Sequence, residues 1–436
     1  MSRPPRNVRR RRALAREEET GEVLELVLGE PAHGGACVSR DGAGRVVFVR
    51  HGLPGERVRA RVTSARNRLA WADVVDVLEA SPDRVESVWP QAGPGGVGGG
   101  ELAHVAPYAQ RRWKSDVLRG QMRRIGGEAL AERVDDLGGV EVRPAPGDEG
   151  AGDPLLRRRT RIELVVDATG RPGMHRFRGR DVIALDDMPL AVDGIRDLDL
   201  FSPDSPWRDL WSPGDRIRAV ASTGGDTAVV TPRGVFGPDR RPRAVEELDW
   251  DVSGDHFRVR AGGFWQTHVR GAEVLADAVA RGGRAAGGQA VMELYSGAGL
   301  FTRGLAHGVG PGGRLVSLEG EDSAVADATA NLGECAWADT FVGEVDASGV
   351  EDLSRELGRR PDLVVLDPPR SGAGVAVCRE LGVLGSPRVV LVACDPAAGA
   401  RDLRSLVETG YALEDIGAWD LFPHTHHMEF VATLVR

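Results

Sequence analysis

The sequence predicts three parts: a small N-terminal β-barrel, a central, mostly β domain, and a C-terminal doubly wound α/β domain on a parallel sheet. Three observations predict it. Residues 22–79 carry short alternating runs cut by glycine-rich turns, and residues 140–260 add β-type runs without α/β alternation. From residue 271, helical and strand-like segments alternate. A length of 436 residues suits two or three domains.

Composition excludes several classes. With 41% hydrophobic residues the chain can bury a sizeable core, yet no apolar run approaches the roughly 20 residues of a membrane span. The arginine-rich start lacks the apolar segment and cleavage site of a signal peptide, so a cytoplasmic location is expected. Cys37, Cys335, Cys378 and Cys394 lie far apart with no C-x-x-C pair, so neither a disulfide framework nor a metal site can be read. Net charge is −9, but residues 1–80 carry +4 and residues 262–436 carry −10. That asymmetry suggests a chain that meets a polyanion with one end.

The elements follow in order. Residues 1–17 form a basic tail with seven arginines before residue 17, read as solvated and able to touch phosphates. Residues 18–80 form the barrel, with strands expected over 23–28, 46–49, 58–62 and 71–77. Gly34-Gly35, Val46-Val47-Phe48-Val49 and Leu53-Pro54-Gly55-Glu56 resemble the TRAM domain, an OB-like RNA-binding barrel, and Arg57, Arg59, Arg61, Arg66 and Arg68 cluster just after them.

Residues 81–261 form the central domain. It opens on a Gly/Pro-rich loop, continues with a helix over 107–125, and carries arginine clusters at 157–161, 176–180 and 240–243. Surface arginines are usually solvated, so RNA contact and plain exposure weigh equally there. Residues 262–436 form the α/β domain. Strands are expected over 290–294, 314–318, 363–366 and 388–393, with helices over 273–280, 300–306 and 323–332.

Strand-end motifs carry the chemistry. Glu293-Leu294-Tyr295-Ser296-Gly297-Ala298-Gly299-Leu300-Phe301 ends a strand and opens a helix, and Gly297 and Gly299 allow a tight turn close to a ligand. The next strand ends at Glu319, where an acid can bind ribose hydroxyls, and no triphosphate-binding loop occurs. Asp367-Pro368-Pro369-Arg370 ends the fourth strand and favours S-adenosylmethionine over a dinucleotide, because this element recurs in methyltransferases that present a planar ring to the sulfonium.

Cys394 follows a buried strand on the same sheet edge, and Glu429 precedes a last β run. This pair is what uracil C5 requires. A thiolate adding to C6 makes C5 nucleophilic, and a base must then remove the C5 proton. Cys394 is the expected nucleophile, Glu429 the base, and Asp367 the group on the ring edge, with Arg370 orienting phosphate or thiolate. The target base must leave its stack, so a loop or flipped nucleotide is the substrate.

These motifs, in this order, resemble the TRAM-containing RNA uracil-5-methyltransferases over residues 18–436. The resemblance implies a Rossmann-like methyltransferase domain, S-adenosylmethionine as cofactor, and RNA as partner, 23S rRNA first and the tRNA T-loop as the alternative. It implies Gln266, Tyr295, Glu319 and Asp367 beside the methyl donor, Cys394 as nucleophile and Glu429 as base. Gln266 rests on the resemblance alone. Many members hold an iron–sulfur cluster through four cysteines; the matching positions here hold Trp89, Val97, Gly100 and Met188, so no cluster and no metal are expected. His268 replaces a frequent asparagine, which predicts an altered polar contact on the donor side. A monomer is expected. Two rivals stand: a catalytically silent RNA-binding paralogue, which would be free to lose Cys394 and Glu429, and an amino-group methyltransferase, which has no use for either.

Overall fold

The computed structural model describes residues 21–66, 68–150 and 152–436, so the basic tail lies outside them. The chain divides into two compact units at Pro82/Asp83.

The N-terminal unit holds β1 (Val23–Val27), β2 (Pro31–Ala32), β3 (Ala36–Arg40), β4 (Val46–Arg50), β5 (Arg57–Arg66) and β6 (Leu69–Glu79), ordered β1-β5-β6-β4-β3-β2. Alternation along β5 buries Val58, Ala60 and Val62 and turns the arginines out. Arg57 pairs with Glu25 at 2.7 Å and Glu79 at 2.8 Å, and Arg59 with Asp76. Inside, Arg50 and Asp73 form a bidentate pair, with Nη2 to Oδ2 at 2.7 Å. The Leu53–Glu56 turn closes on itself, because the buried Glu56 carboxylate accepts the Leu53 N–H at 2.8 Å.

The second unit opens with α1 (Pro107–Gln121), started by a proline that is pre-set for a helix N-terminus. Then come α2 (Glu128–Asp136) and β7 (Val142–Pro144). A six-stranded antiparallel sheet follows: β8 (Arg161–Val166), β9 (Pro172–His175), β10 (Val182–Ala184), β11 (Arg216–Ala221), β12 (Thr227–Thr231) and β13 (Gly234–Phe236), ordered β10-β9-β8-β11-β12-β13. The hairpin β14 (Glu247–Val252) and β15 (Asp255–Arg260) leads on to the C-terminal sheet.

That sheet contains β16 (Ala290–Leu294), β17 (Arg314–Glu319), β18 (Ala338–Val342), β19 (Leu363–Leu366), β20 (Arg388–Ala393), β21 (Ala412–Asp420) and β22 (Glu429–Val435). Its order is β18-β17-β16-β19-β20-β22-β21-β7, so the strand order reverses between β16 and β19. β16 and β19 are buried throughout, as strands covered by helices on both faces must be. β22 runs antiparallel to β20, with Ala393 opposite Phe430. β7 comes from the segment before the antiparallel sheet, yet it extends this one by pairing with β21. Among the described residues, no helix is long and apolar enough to cross a membrane.

The chain's single lysine holds two regions of this unit together. Lys114 on α1 is fully buried, and its Nζ donates to Asp420 Oδ1 at 2.5 Å and to the Phe422 carbonyl at 3.0 Å. Removing one partner of such a pair strands a charge in the core. We expect Lys114→Met to cost about 3–5 kcal/mol, and Lys114→Met with Asp420→Leu to recover most of it. Urea unfolding of both variants checks this; equal losses would contradict it.

Candidate active site

The glycine loop between β16 and helix Leu300–Val309 owes its shape to backbone freedom. Gly297 and Gly299 take φ of 52° and 87°, and a Cβ on Gly299 would meet the Ala328 backbone at 3.1 Å. Tyr295 adopts the same left-handed region, with φ 62°, and its hydroxyl donates to the Val345 carbonyl at 3.3 Å. Glu319 at the end of β17 accepts the Gly297 N–H at 3.0 Å and the Glu321 N–H at 3.0 Å. One carboxylate thus fixes the loop from the neighbouring strand. Glu293, at full burial beneath the loop, is pushed up to about 8 and stays neutral at pH 7.

The remaining residues arrive by strand register. Asp367 follows β19, and Cys394 follows β20. Because Ala393 faces Phe430 across an antiparallel pair, Cys394 and Glu429 fall opposite each other one step beyond. Asp395 caps the next helix, its carboxylate accepting the Ala397 N–H at 2.9 Å and the Ala398 N–H at 2.8 Å. That role explains an acid beside the cysteine.

Gln266, Tyr295, Gly297, Glu319, Asp367, Arg370, Cys394 and Glu429 line one cavity of about 560 Å³, a volume suited to a small-molecule site. Every site residue expected from the sequence lies there except Gly299, which shapes the loop behind it. Sequence reasoning missed Phe422, His427 and Arg161 as lining groups. Phe422 and His427 lie in the segment just before Glu429; Arg161 carries no signal beyond its cluster. Arg161 sits over the Phe264 ring at 5.0 Å. His268 corrects an expectation: it is absent from this cavity, buried with Nε2 3.0 Å from Asp148 Oδ2. The larger imidazole reaches a carboxylate on the far side, so its polar contact is not at the donor pocket.

The loop that carries Phe422 and His427 is clamped from the N-terminal end of this unit. Gln110 Oε1 accepts the His424 N–H at 2.7 Å, and Gln110 Nε2 donates to His424 Nδ1 at 3.2 Å. His424 Nε2 donates to the Pro154 carbonyl at 2.7 Å, and burial holds that ring neutral, with a pKa of about 4. The Leu102 N–H reaches the His424 carbonyl at 2.9 Å.

Electrostatically, burial favours the protonated forms of the cavity's acids. Burial pushes Asp367 up to about 7. Burial, then Asp367, lifts Glu429 well above the carboxylate range, with Arg370 opposing. Burial, then Glu429 and Asp367, pushes the Cys394 thiol up to about 12, again with Arg370 opposing. Burial, then His426 and Arg370, keeps His427 neutral. One Glu429 oxygen has no hydrogen-bond partner. The arrangement can add a sulfur nucleophile to an electron-poor ring and accept a proton on the facing side.

The four positions matching cluster cysteines do not fit an iron–sulfur group. Trp89, Val97 and Met188 are buried in one apolar cluster, and a Cβ on Gly100 would meet Ala92 at 2.6 Å. Iron needs thiolates, and none lies in that cluster.

Arg370 is the cavity's thiolate-favouring charge, so its removal lowers the thiolate fraction at fixed pH. Arg370→Gln is expected to slow iodoacetamide alkylation of Cys394 roughly two- to tenfold at pH 8 and move the profile to higher pH. An unchanged or faster rate would contradict the assignment.

Comparison with known proteins gives a consistent result. Residues 17–75 match the TRAM domain, and residues 359–436 match the tRNA (uracil-5-)-methyltransferase family. A Streptomyces avermitilis protein named as an uncharacterized RNA methyltransferase is 38% identical, over 95% of this chain and 98% of its own. The Halomonas elongata 23S rRNA (uracil(1939)-C(5))-methyltransferase is 32% identical, over 94% of this chain and 89% of its own. The Pyrococcus abyssi tRNA (uracil-54, C5)-methyltransferase, solved with S-adenosyl-L-homocysteine, shares the fold, with a TM-score of 0.68 at 20% identity, over 94% of this chain and all of that one.

Proposed function

The chain belongs to the TRAM-bearing RNA uracil-5-methyltransferases, and from that membership we propose that it methylates C5 of an unpaired uridine in 23S rRNA. The observation that carries this reading is the shared cavity: Cys394 and Glu429 face each other across β20 and β22, with Asp367 and the glycine loop on its walls. The 23S assignment draws support from the Halomonas relative, similar along nearly the whole chain. The T-loop of tRNA is the second reading, favoured by the family matched at residues 359–436.

The residues present fit S-adenosylmethionine. Gly297, Tyr295 and Glu319 would hold its nucleoside end and Gln266 with Asp367 its reactive end; bound there, it supplies an electrophilic methyl group. The protein's own steps concern protons and the base. The thiol is protonated at rest, so its proton leaves as the Sγ–C6 bond forms, and Asp367, with a pKa near 7, accepts it. Asp367 keeps that proton in a hydrogen bond to the ring carbonyl where the enolate develops and gives it back to Sγ when the thiolate leaves. Burial and Asp367 raise the proton affinity of Glu429, so it first releases its resting proton to solvent and, in the ionised form, takes the C5 proton after the methyl has joined C5. The C5–H electron pair re-forms the C5=C6 bond and expels Sγ.

Nucleoside mass spectrometry tests the reading, with methyl-labelled S-adenosylmethionine and separate rRNA and tRNA pools from a strain lacking the gene. Labelled 5-methyluridine in the 23S pool is expected, and Cys394→Ala should abolish it. Label in another nucleoside, or label that survives Cys394→Ala, would overturn the mechanism; label only in tRNA would overturn the 23S assignment.

A further inference from the structure

Cys394 acts on one base, but a track of arginines continues outward from its cavity along the antiparallel sheet. Along β8 the residues alternate: Ile162, Leu164 and Val166 are buried, while Arg161, Glu163 and Val165 face away from that core. Register with β11 sets Arg218 beside Glu163 and Arg216 beside Val165. Arg161 lines the catalytic cavity, and four residues further, about 13 Å along an extended strand, Val165 lines a separate groove of about 510 Å³. The same face of one strand therefore joins the two.

The groove is closed on its far side by the β9–β10 turn, which presents Arg176, Phe177, Arg178 and Arg180. The turn is rigidly built. Arg178 adopts φ 55°, Arg176 donates to the Gly95 carbonyl, and the Phe177 N–H reaches the Gly96 carbonyl at 3.0 Å. Six guanidinium groups lie on this track, namely Arg161, Arg176, Arg178, Arg180, Arg216 and Arg218. Glu163 and Asp181 are bound to Arg218 and Arg176 at 2.7 Å and 4.0 Å. Arg180 and Arg216 have no ion pair among the described residues. Arg180 and Arg216 thus stand without a carboxylate partner beside an apolar floor of Val165, Met174 and Phe177, in a chain whose net charge is −9.

We propose that this track binds single-stranded RNA flanking the target uridine, with the arginines on successive phosphates and bases resting on the apolar floor beside Phe177. The inference rests on the RNA-methylation reading above and adds where the strand runs once its target base has entered the cavity. Phosphate neutralisation by arginine with sequence-tolerant stacking is the pattern by which proteins hold unpaired strands. The crowding of charge agrees: burial, then the neighbouring Arg218, lowers Arg161 to about 10, an arrangement that an anion relieves.

The test uses the full chain and unmodified 23S rRNA from a strain lacking the gene. The triple variant Arg178→Gln, Arg180→Gln, Arg216→Gln changes surface positions only, and its affinity for S-adenosylmethionine reports whether it has folded. RNA affinity should fall about tenfold or more at physiological salt, and the slope of log affinity against log salt should shrink by about 2, near 0.7 per lost phosphate contact. Unchanged affinity and slope, with methyl-donor binding intact, would overturn the track. If the wild-type protein neither binds nor methylates the RNA, the functional reading fails, a result distinct from failure of the track alone.

Discussion

The site depends on one reversed strand. In a wholly parallel sheet the carboxyl ends of the strands deliver only the residues that follow them. Here β22 runs antiparallel to β20, so its first residue lies at the edge where β16, β17, β19 and β20 end. That reversal sets Glu429 across from Cys394, and a one-residue slip would turn it to the other face. The eight residues joining β21 to β22 must therefore be held, and Lys114, Gln110 and Leu102 hold them from outside the α/β layer. The segment 100–121 thus acts as a brace for the chemistry rather than as a mere connection.

Electrostatics complete the arrangement. The buried Glu429 and the half-buried Asp367 and Cys394 share the cavity with the guanidinium of Arg370, so Asp367 raises the proton affinity of Glu429, and both raise that of Cys394. A thiol kept protonated at rest is protected from oxidation and stray alkylation. Under the proposed mechanism, its activation is deferred to the moment when a ring carbon is in reach and Asp367 can take the proton. In that mechanism the same burial raises the proton affinity of Glu429, so that its ionised form, once generated, is a strong enough base for a carbon-bound proton.

Much of this was legible in the sequence, for physical reasons. Strands 290–294, 363–366 and 388–393 are covered almost throughout and read as apolar runs interrupted only by Glu293 and Arg388. Gly297, Glu319, Asp367, Cys394 and Glu429 stand at strand ends, where ligands of such folds collect, so order along the chain was enough to group them. Helix Ala347–Leu357 carries a local signal too, an Asp346 cap with Val350, Leu353 and Leu357 at helical spacing, behind a weak opening on Ala-Ser-Gly. Other features carry no local signal. The three residues of β7 become a strand only through β21. Lys114 looks like a compositional accident until Asp420 is placed beside it, 306 residues away. Arg161 belongs to the cavity because of a sheet register, and His268 leaves it because Asp148 is within reach. Long-range pairing decides all of these.

The division of labour between Cys394 and Glu429 is the central claim, and trapping tests it most directly. Glu429→Gln keeps the nucleophile and removes the base, so the reaction should stall after methyl transfer. The predicted result is a denaturant-resistant protein–RNA complex that carries the donor's methyl label and maps to Cys394. Full turnover by Glu429→Gln, or a complex attached to any other residue, would contradict the account.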